Sequence, residues 1–169
     1  MVIDRNHIIE ILKEVSDPEI PVLTIEDLGI LRNAIVDDNG NVTVHITPTY
    51  TGCPAMDMIR VNILAALQEH GISNVEVIQS LNPIWTTDWI SEDGKRKLKE
   101  YGIAPPIEQT TDKSFIKGEK KIIPCPQCES INTELISLFG STACKAFYKC
   151  LDCKEPFDYF NKKIATSLS

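Results

Sequence analysis

No apolar run in these 169 residues approaches the roughly 20 that a membrane helix needs, so a helical membrane span is not expected. A secretory leader is not expected either, because Asp4 and Arg5 come first, and Glu10 and Lys13 interrupt the apolar positions that follow. There is no glycine loop to cradle a phosphate, no dinucleotide fingerprint and no Ser-His-Asp arrangement. The chain therefore does not read as a free-standing enzyme; the one Cys-His pairing its spacing suggests, His45 with Cys53, has no third group to orient it. Excess positive charge is also lacking, with 17 basic against 24 acidic residues and a net charge of −7. Residues 1–104 hold 16 acids and 8 bases, whereas residues 105–169 hold 8 acids and 9 bases. An acidic body argues against nucleic acid as the main partner, and Lys117, Lys120 and Lys121 are too few to change that.

What is present in quantity is cysteine, six in all. Without a leader, six cysteines point to a reducing, cytoplasmic compartment, where paired cysteines hold metal more often than they form disulfides. Four of them stand in two pairs, Cys125-Pro126-Gln127-Cys128 and Cys150-Leu151-Asp152-Cys153. Each pair can put two thiolates on one tight turn, and two such turns can close a tetrahedral site for one zinc ion or, less often, one iron. A disulfide framework is the alternative. A module of about 50 residues needs such a staple, because it buries too little apolar surface to fold unaided. Cys144 reads either as a packed residue of the ribbon or as an alternative ligand.

The rest of the chain reads as an ordinary globular body, 43% hydrophobic and 24% charged. Ile8, Ile11, Leu12 and Val15 share one helix face. Asp17-Pro18-Glu19-Ile20-Pro21 ends that helix, since a residue before proline is driven out of the helical region. Leu28 to Val36 and Val42 to Ile46 read as strands joined at Asn39-Gly40, a strong hairpin signal. Pro54 opens a helix that carries Met56, Ile59, Ile63, Ala66 and Leu67 inward and stops near Gly71. Val75 to Leu81 is a third strand, expected to be buried on both faces. Ser91 caps a further helix that reaches Tyr101, with Gly102 as its stop. Lys120 to Ile123, Thr133 to Phe139, Ala143 to Lys149 and Phe157 to Phe160 read as short strands around the cysteine turns. The expected class is α+β, a small α-β-β-α-β sandwich domain followed by a zinc-ribbon-like β module. The expected boundaries are a domain over 1–104, a linker over 105–119 and the ribbon over 120–169.

Cys53 sits at the mouth of the second helix, where first-turn N–H groups and the helix dipole lower a thiol pKa. A thiolate there can bind a soft metal or attack an electrophile; a small buried apolar residue is the plainer reading. Glu26 and Asp27 either neighbour a metal or cap turns, and Asp17 and Glu19 offer the same choice. His7, His45 and His70 read as surface or core residues. Trp85 and Trp89 share one short loop, for packing or for docking a partner.

Asp17-Pro18-Glu19-Ile20-Pro21, Glu26-Asp27-Leu28-Gly29 and Thr47-Pro48-Thr49 through Gly52-Cys53-Pro54 resemble, in order and spacing, the small domain of SufT-like proteins of iron–sulfur protein maturation. The resemblance covers residues 5–82. It implies that Cys53 is the reactive, required thiol and that Glu26 or Asp27 is the acid of the Asp-Leu-Gly region. Asn82-Pro83-Ile84-Trp85-Thr86-Thr87-Asp88-Trp89-Ile90, Ala104-Pro105-Pro106, the four paired cysteines, Phe139-Gly140-Ser141-Thr142-Ala143-Cys144 and Glu155-Pro156-Phe157 extend the likeness to nearly the full chain. Together they resemble the D-subunit family of bacterial phenylacetyl-CoA 1,2-epoxidase, the phenylacetate-CoA oxygenase. The resemblance implies an accessory component in aerobic phenylacetate catabolism that is not itself catalytic. Its partners would be the oxygenase's catalytic and structural subunits or the reductase, with no nucleic acid and no membrane. The implied cofactors are zinc (or iron) in the tail and transient iron or an iron–sulfur cluster at Cys53. A metal-stapled adaptor and a general iron–sulfur assembly factor stay open as alternatives, as does a homodimer that joins two Cys53 residues.

Overall fold

The computed structural model describes residues 3–49, 52–106, 122–138, 140 and 145–160. The chain divides into two compact units, residues 1–94 and 95–169.

In the first unit, α1 (Arg5–Leu12) starts at Asp4, whose carboxylate accepts from the His7 N–H at 2.8 Å. This is an N-cap that satisfies one orphan amide of the first turn. Its apolar face buries Ile8, Ile11 and Leu12. Strands β1 (Leu31–Val36) and β2 (Val42–Ile46) pair antiparallel, with Val36 opposite Val42. Gly40 turns the hairpin at φ +80°, a backbone state open to glycine at no steric cost, and its N–H donates to Asp37 O at 3.0 Å. From β2 the chain crosses through α2 (Ala55–Glu69) into β3 (Val75–Gln79), which runs parallel to β2 in a sheet of order β1-β2-β3. Along β2 burial alternates, with Val42, Val44 and Ile46 on the covered face. They join Ile8 and Leu12 of α1 and Ile59, Ile63 and Leu67 of α2 in one core. The expected helix, hairpin and crossover are all present. Two details differ. Ala66 is only half-buried, and β3 buries Val77 while Ile78 is exposed. An edge strand in a sheet covered on one side needs only one apolar face, so burial on both faces does not occur.

Helix α3 (Glu92–Glu100) begins at Ser91, whose hydroxyl accepts from the Gly94 N–H at 2.9 Å. It ends where the Gly102 N–H meets Lys99 O at 3.1 Å. In the second unit, β4 (Ile103–Ala104), β5 (Thr133–Ser137), β6 (Lys145–Cys150) and β7 (Pro156–Phe160) form a sheet of order β4-β7-β6-β5. β4 joins β7 in parallel, so Ile103 and Ala104 belong to the ribbon sheet although the sequence groups them with the N-terminal domain. The expected linker over 105–119 lies mostly outside the described residues, as do Lys120 and Lys121. Ile122 and Ile123 lie in no strand. The ribbon core gathers Ala104, Ile123, Cys125, Ala146, Tyr148, Cys150, Phe157 and Tyr159. Tyr148 stacks on Phe157 at 5.7 Å between centroids and meets Tyr159 edge-on at 5.9 Å. Burial, with the neighbouring Tyr159, pushes the Tyr148 hydroxyl up to about 12. Among the described residues no helix is long and apolar enough to cross a membrane.

Candidate metal centre and candidate thiol site

The two cysteine turns are built alike. In the first, the Glu129 N–H closes onto Cys125 O at 2.9 Å, and the Cys125 N–H onto Ser130 O at 2.9 Å. In the second, the Cys150 N–H closes onto Glu155 O at 3.0 Å. Each turn leaves its second cysteine through a non-glycine residue in the left-handed region, Glu129 at φ +62° and Lys154 at φ +68°. Such residues each cost of order 1–3 kcal/mol, and they persist only where the surroundings hold them.

The four sulfurs all lie within 4.8 Å of one another. Cys125 Sγ stands 3.7 Å from Cys153 Sγ, and Cys128 Sγ 3.6 Å from Cys150 Sγ. A disulfide requires about 2.05 Å, so these pairs are not bonded to each other. A tetrahedron with metal–sulfur bonds of about 2.3 Å has edges of about 3.8 Å, and the cluster matches it. Backbone N–H groups of Cys153 and Asp152, with the neighbouring thiols, hold the Cys150 thiol down at about 7. Cys153 accepts from the Glu155 N–H, yet desolvation and its three thiol neighbours push it up to about 12. The Cys128 thiol accepts from the Ser130 N–H and is nonetheless raised by desolvation and by Cys150 and Cys125. Crowded thiolates repel, and a divalent cation is the group that lets all four ionise together. Cys144 lies outside the described residues.

In the first unit backbone bonds tie Asp17 and Thr47 to the segment from Leu23 to Ile30. Ser16 bridges Thr24, and the Asp17 N–H donates to Leu23 O at 2.8 Å. The Ile30 N–H donates to Ile25 O at 3.0 Å, and the Thr47 N–H to Ile30 O at 2.8 Å. Thr47 follows the carboxyl end of β2, which is paired in parallel with β3, and Cys53 precedes α2. Ligands in open α/β sheets bind outside such carboxyl ends. Cys53 is half-buried there, one residue before Pro54 caps α2, and its carbonyl accepts from the Met56 N–H at 3.2 Å. Tyr50 and Thr51 lie outside the described residues.

The acids separate by role. Asp17 is buried and accepts from the Glu19 and Ile20 N–H groups, both at 2.8 Å, so it ties the turn after α1. Asp27 is 8% exposed; its carboxylate accepts from the Thr24 N–H at 3.2 Å and the Ser91 hydroxyl at 3.2 Å. Glu26 is exposed, and its charge adds to that of Glu10 in raising the Lys13 pKa, Glu10 acting first. Asp27→Ala is expected to cost the first unit about 1–3 kcal/mol, because two donors lose their acceptor. Urea unfolding measures this, and an unchanged midpoint would remove the turn-tying role.

The tryptophans lie mainly inside the first unit. Trp85 is 2% exposed, and its indole N–H donates to Leu28 O at 2.7 Å. Trp89 is half-buried, with Arg32 Cζ 3.6 Å from its ring centroid. His7 and His70 approach edge-to-face at 6.5 Å, and the His70 Nδ1 lies 2.9 Å from Ala66 O. Sequence reading missed Ser130 and Asn132, which flank the first cysteine turn and hydrogen-bond Asp152 of the second. The polar run Glu129-Ser130-Ile131-Asn132 directly after Cys128 was the only available signal.

These two sites define a class of protein, an iron–sulfur assembly domain joined to a zinc β-ribbon. The model described as "Iron-sulfur cluster assembly protein" matches residues 5–78, and that described as "PaaD zinc beta ribbon domain" matches residues 109–161. The chain is 47% identical over 150 residues to the D component of the "Putative 1,2-phenylacetyl-CoA epoxidase" of Escherichia coli (strain K12), covering 89% of this chain and 88% of that protein. It belongs to that D-subunit family. It is also 36% identical to an "Fe-S protein maturation auxiliary factor" of Porphyromonas gingivalis, over 54% of this chain and 87% of that protein. A solved DUF59 domain from Bacillus anthracis superposes with a TM-score of 0.53 at 28% identity, covering 56% of this chain and 90% of that one.

Proposed function

We propose that this chain is an accessory component of the phenylacetyl-CoA epoxidase complex in aerobic phenylacetate breakdown. In this reading it assists iron or iron–sulfur maturation of the oxygenase or its reductase. One observation carries the proposal: a single chain joins an assembly domain to a metal ribbon, and is alike over most of its length to a relative named as an epoxidase component. Cys53 is the residue assigned to transient binding of iron or a cluster, which is cargo rather than a resident cofactor. Its place at the mouth of α2, beyond the carboxyl end of β2, supports that assignment. Of the two acids named with it, Glu26 is exposed, whereas the Asp27 carboxylate accepts from Thr24 and Ser91. Cys125, Cys128, Cys150 and Cys153 hold a resident ion, zinc by the ribbon's family and iron as the alternative with the same donors. The cytoplasm is the compartment that suits free thiols.

Cys53→Ala is expected to lower oxygenase activity in cells while the ribbon's metal content stays at one ion per chain. Unchanged activity would overturn the delivery role. A second reading, a general iron–sulfur assembly factor, is favoured by the auxiliary factors that resemble the first unit. It predicts that loss of this protein damages unrelated cluster enzymes too. The adaptor reading loses the support of Trp85, which is buried in the first unit.

A further inference from the structure

We propose that Asp152 is a positioning residue that locks the two cysteine turns together and thereby sets how slowly the ribbon releases its metal. Asp152 lies between Cys150 and Cys153 in the second turn. Its two carboxylate oxygens reach the exit of the first: Oδ2 accepts from the Ser130 hydroxyl, and Oδ1 from the Asn132 side-chain amide at 3.1 Å. The Asn132 N–H donates to the Ser130 hydroxyl at 3.1 Å, so the two partners also fix each other. The backbone repeats the connection, with the Leu151 N–H on Asn132 O at 2.8 Å. Ser130 in turn reaches the ligands, because its carbonyl accepts from the Cys125 N–H at 2.9 Å and its N–H bonds the Cys128 sulfur. Asp152 thus links the chain on either side of the ion without ligating it. For one turn to swing away from the ion, both carboxylate bonds must break. Engaged twice, the carboxylate is also kept from adding a fifth, oxygen donor to the four sulfurs. Groups of this kind, bonded to the surroundings of the ligands, orient the ligands and tune the metal.

The proposal rests on the reading of the four cysteines as a resident metal site, and the test separates the two. The full chain is loaded with zinc, and separately with cobalt(II), and release to a competing chromophoric chelator is followed. If the unchanged protein holds no ion, the metal reading fails and the proposal with it. If it holds one ion, Asp152→Ala should still hold one, but release it about 10–100-fold faster, the usual range for an outer partner of a metal ligand. The Asp152→Ala cobalt bands should broaden while remaining those of four thiolates. Asp152→Asn keeps one acceptor oxygen and should fall between, a graded rescue that loss of bulk stability would not give. If Asp152→Ala does not fold, the Ser130→Ala, Asn132→Ala double variant removes the same two bonds and should show the same faster release. Release at the unchanged rate, from Asp152→Ala or from the double variant, would overturn the proposal.

Discussion

Cys125→Ser, or removal of the ion by a strong chelator, is expected to unfold the ribbon while the first unit stays folded. Among the described residues the ribbon's core cluster holds eight, and two of these are the ligands Cys125 and Cys150. Without the ion, that core must offset the entropy of ordering four short strands, and it is too small to do so. With the ion, metal binding adds about 10–16 kcal/mol at neutral pH, nearly all of it felt as folding free energy. The strained exits at Glu129 and Lys154 and the crowded thiols at Cys128 and Cys153 sharpen the dependence. The same coupling fixes the effect of acid. Four thiols must lose their protons to take the ion, so affinity falls as pH falls and the ribbon should empty and unfold on acidification. Hydrogen exchange resolved along the chain measures this: protection over 122–138 and 145–160 should vanish while that of β2 and α2 persists. Protection retained by the metal-free ribbon would contradict it.

Gly29→Ala is expected to be the most damaging single change in the first unit that removes no atoms from its core. Gly29 sits at φ +71°, where a side chain is strained. A Cβ built there would lie 2.5 Å from the Trp89 Cβ and 2.7 Å from the Trp89 carbonyl oxygen. Backbone cannot swing aside as a flexible side chain can. The conformational cost alone is about 1–2 kcal/mol, and displacing the Trp89 segment should bring the total to several. The substitution also sits next to Ile30, whose carbonyl accepts from the Thr47 N–H. Urea unfolding of the first unit should show a loss above about 3 kcal/mol, since overpacking against backbone adds to the conformational term. A midpoint within experimental error of the unchanged protein would show that the Trp89 segment yields freely.

The glycine also shows where sequence reading stops. Asp-Leu-Gly is visible as a motif, yet nothing in it says that Gly29 is needed for the close approach of Trp89. Local signals carried the elements well. The 3.6-residue spacing in α1 and α2, the Asn39-Gly40 turn and the Ser91 cap each act within a few residues of themselves, and each is found where its chemistry puts it. The four-cysteine centre was legible for the same reason, because the spacing inside each turn is the geometry of the turn. Long-range placement was not legible. The pairing of Ile103 with Asp158 puts β4 in the second sheet, and nothing in the two residues after the Gly102 stop names a strand more than 50 residues on as their partner. Likewise the sequence reads Trp85 as core, with docking as the alternative, and Leu28 O 2.7 Å from its indole nitrogen places it in the core. Asp27 and Asp17 are chemically able to hold a cation or to tie a turn, and the spacing does not show that both are buried and accept hydrogen bonds from Thr24 and Ser91, and from Glu19 and Ile20.

The central claim is that Cys53 delivers iron or a cluster to the oxygenase system, and its most direct test is iron content. The catalytic oxygenase subunit is co-expressed with this protein or with its Cys53→Ala form, purified, and its iron per subunit measured. The account predicts iron-poor oxygenase from the Cys53→Ala culture, with ribbon metal unchanged. Equal iron from the two cultures would contradict it.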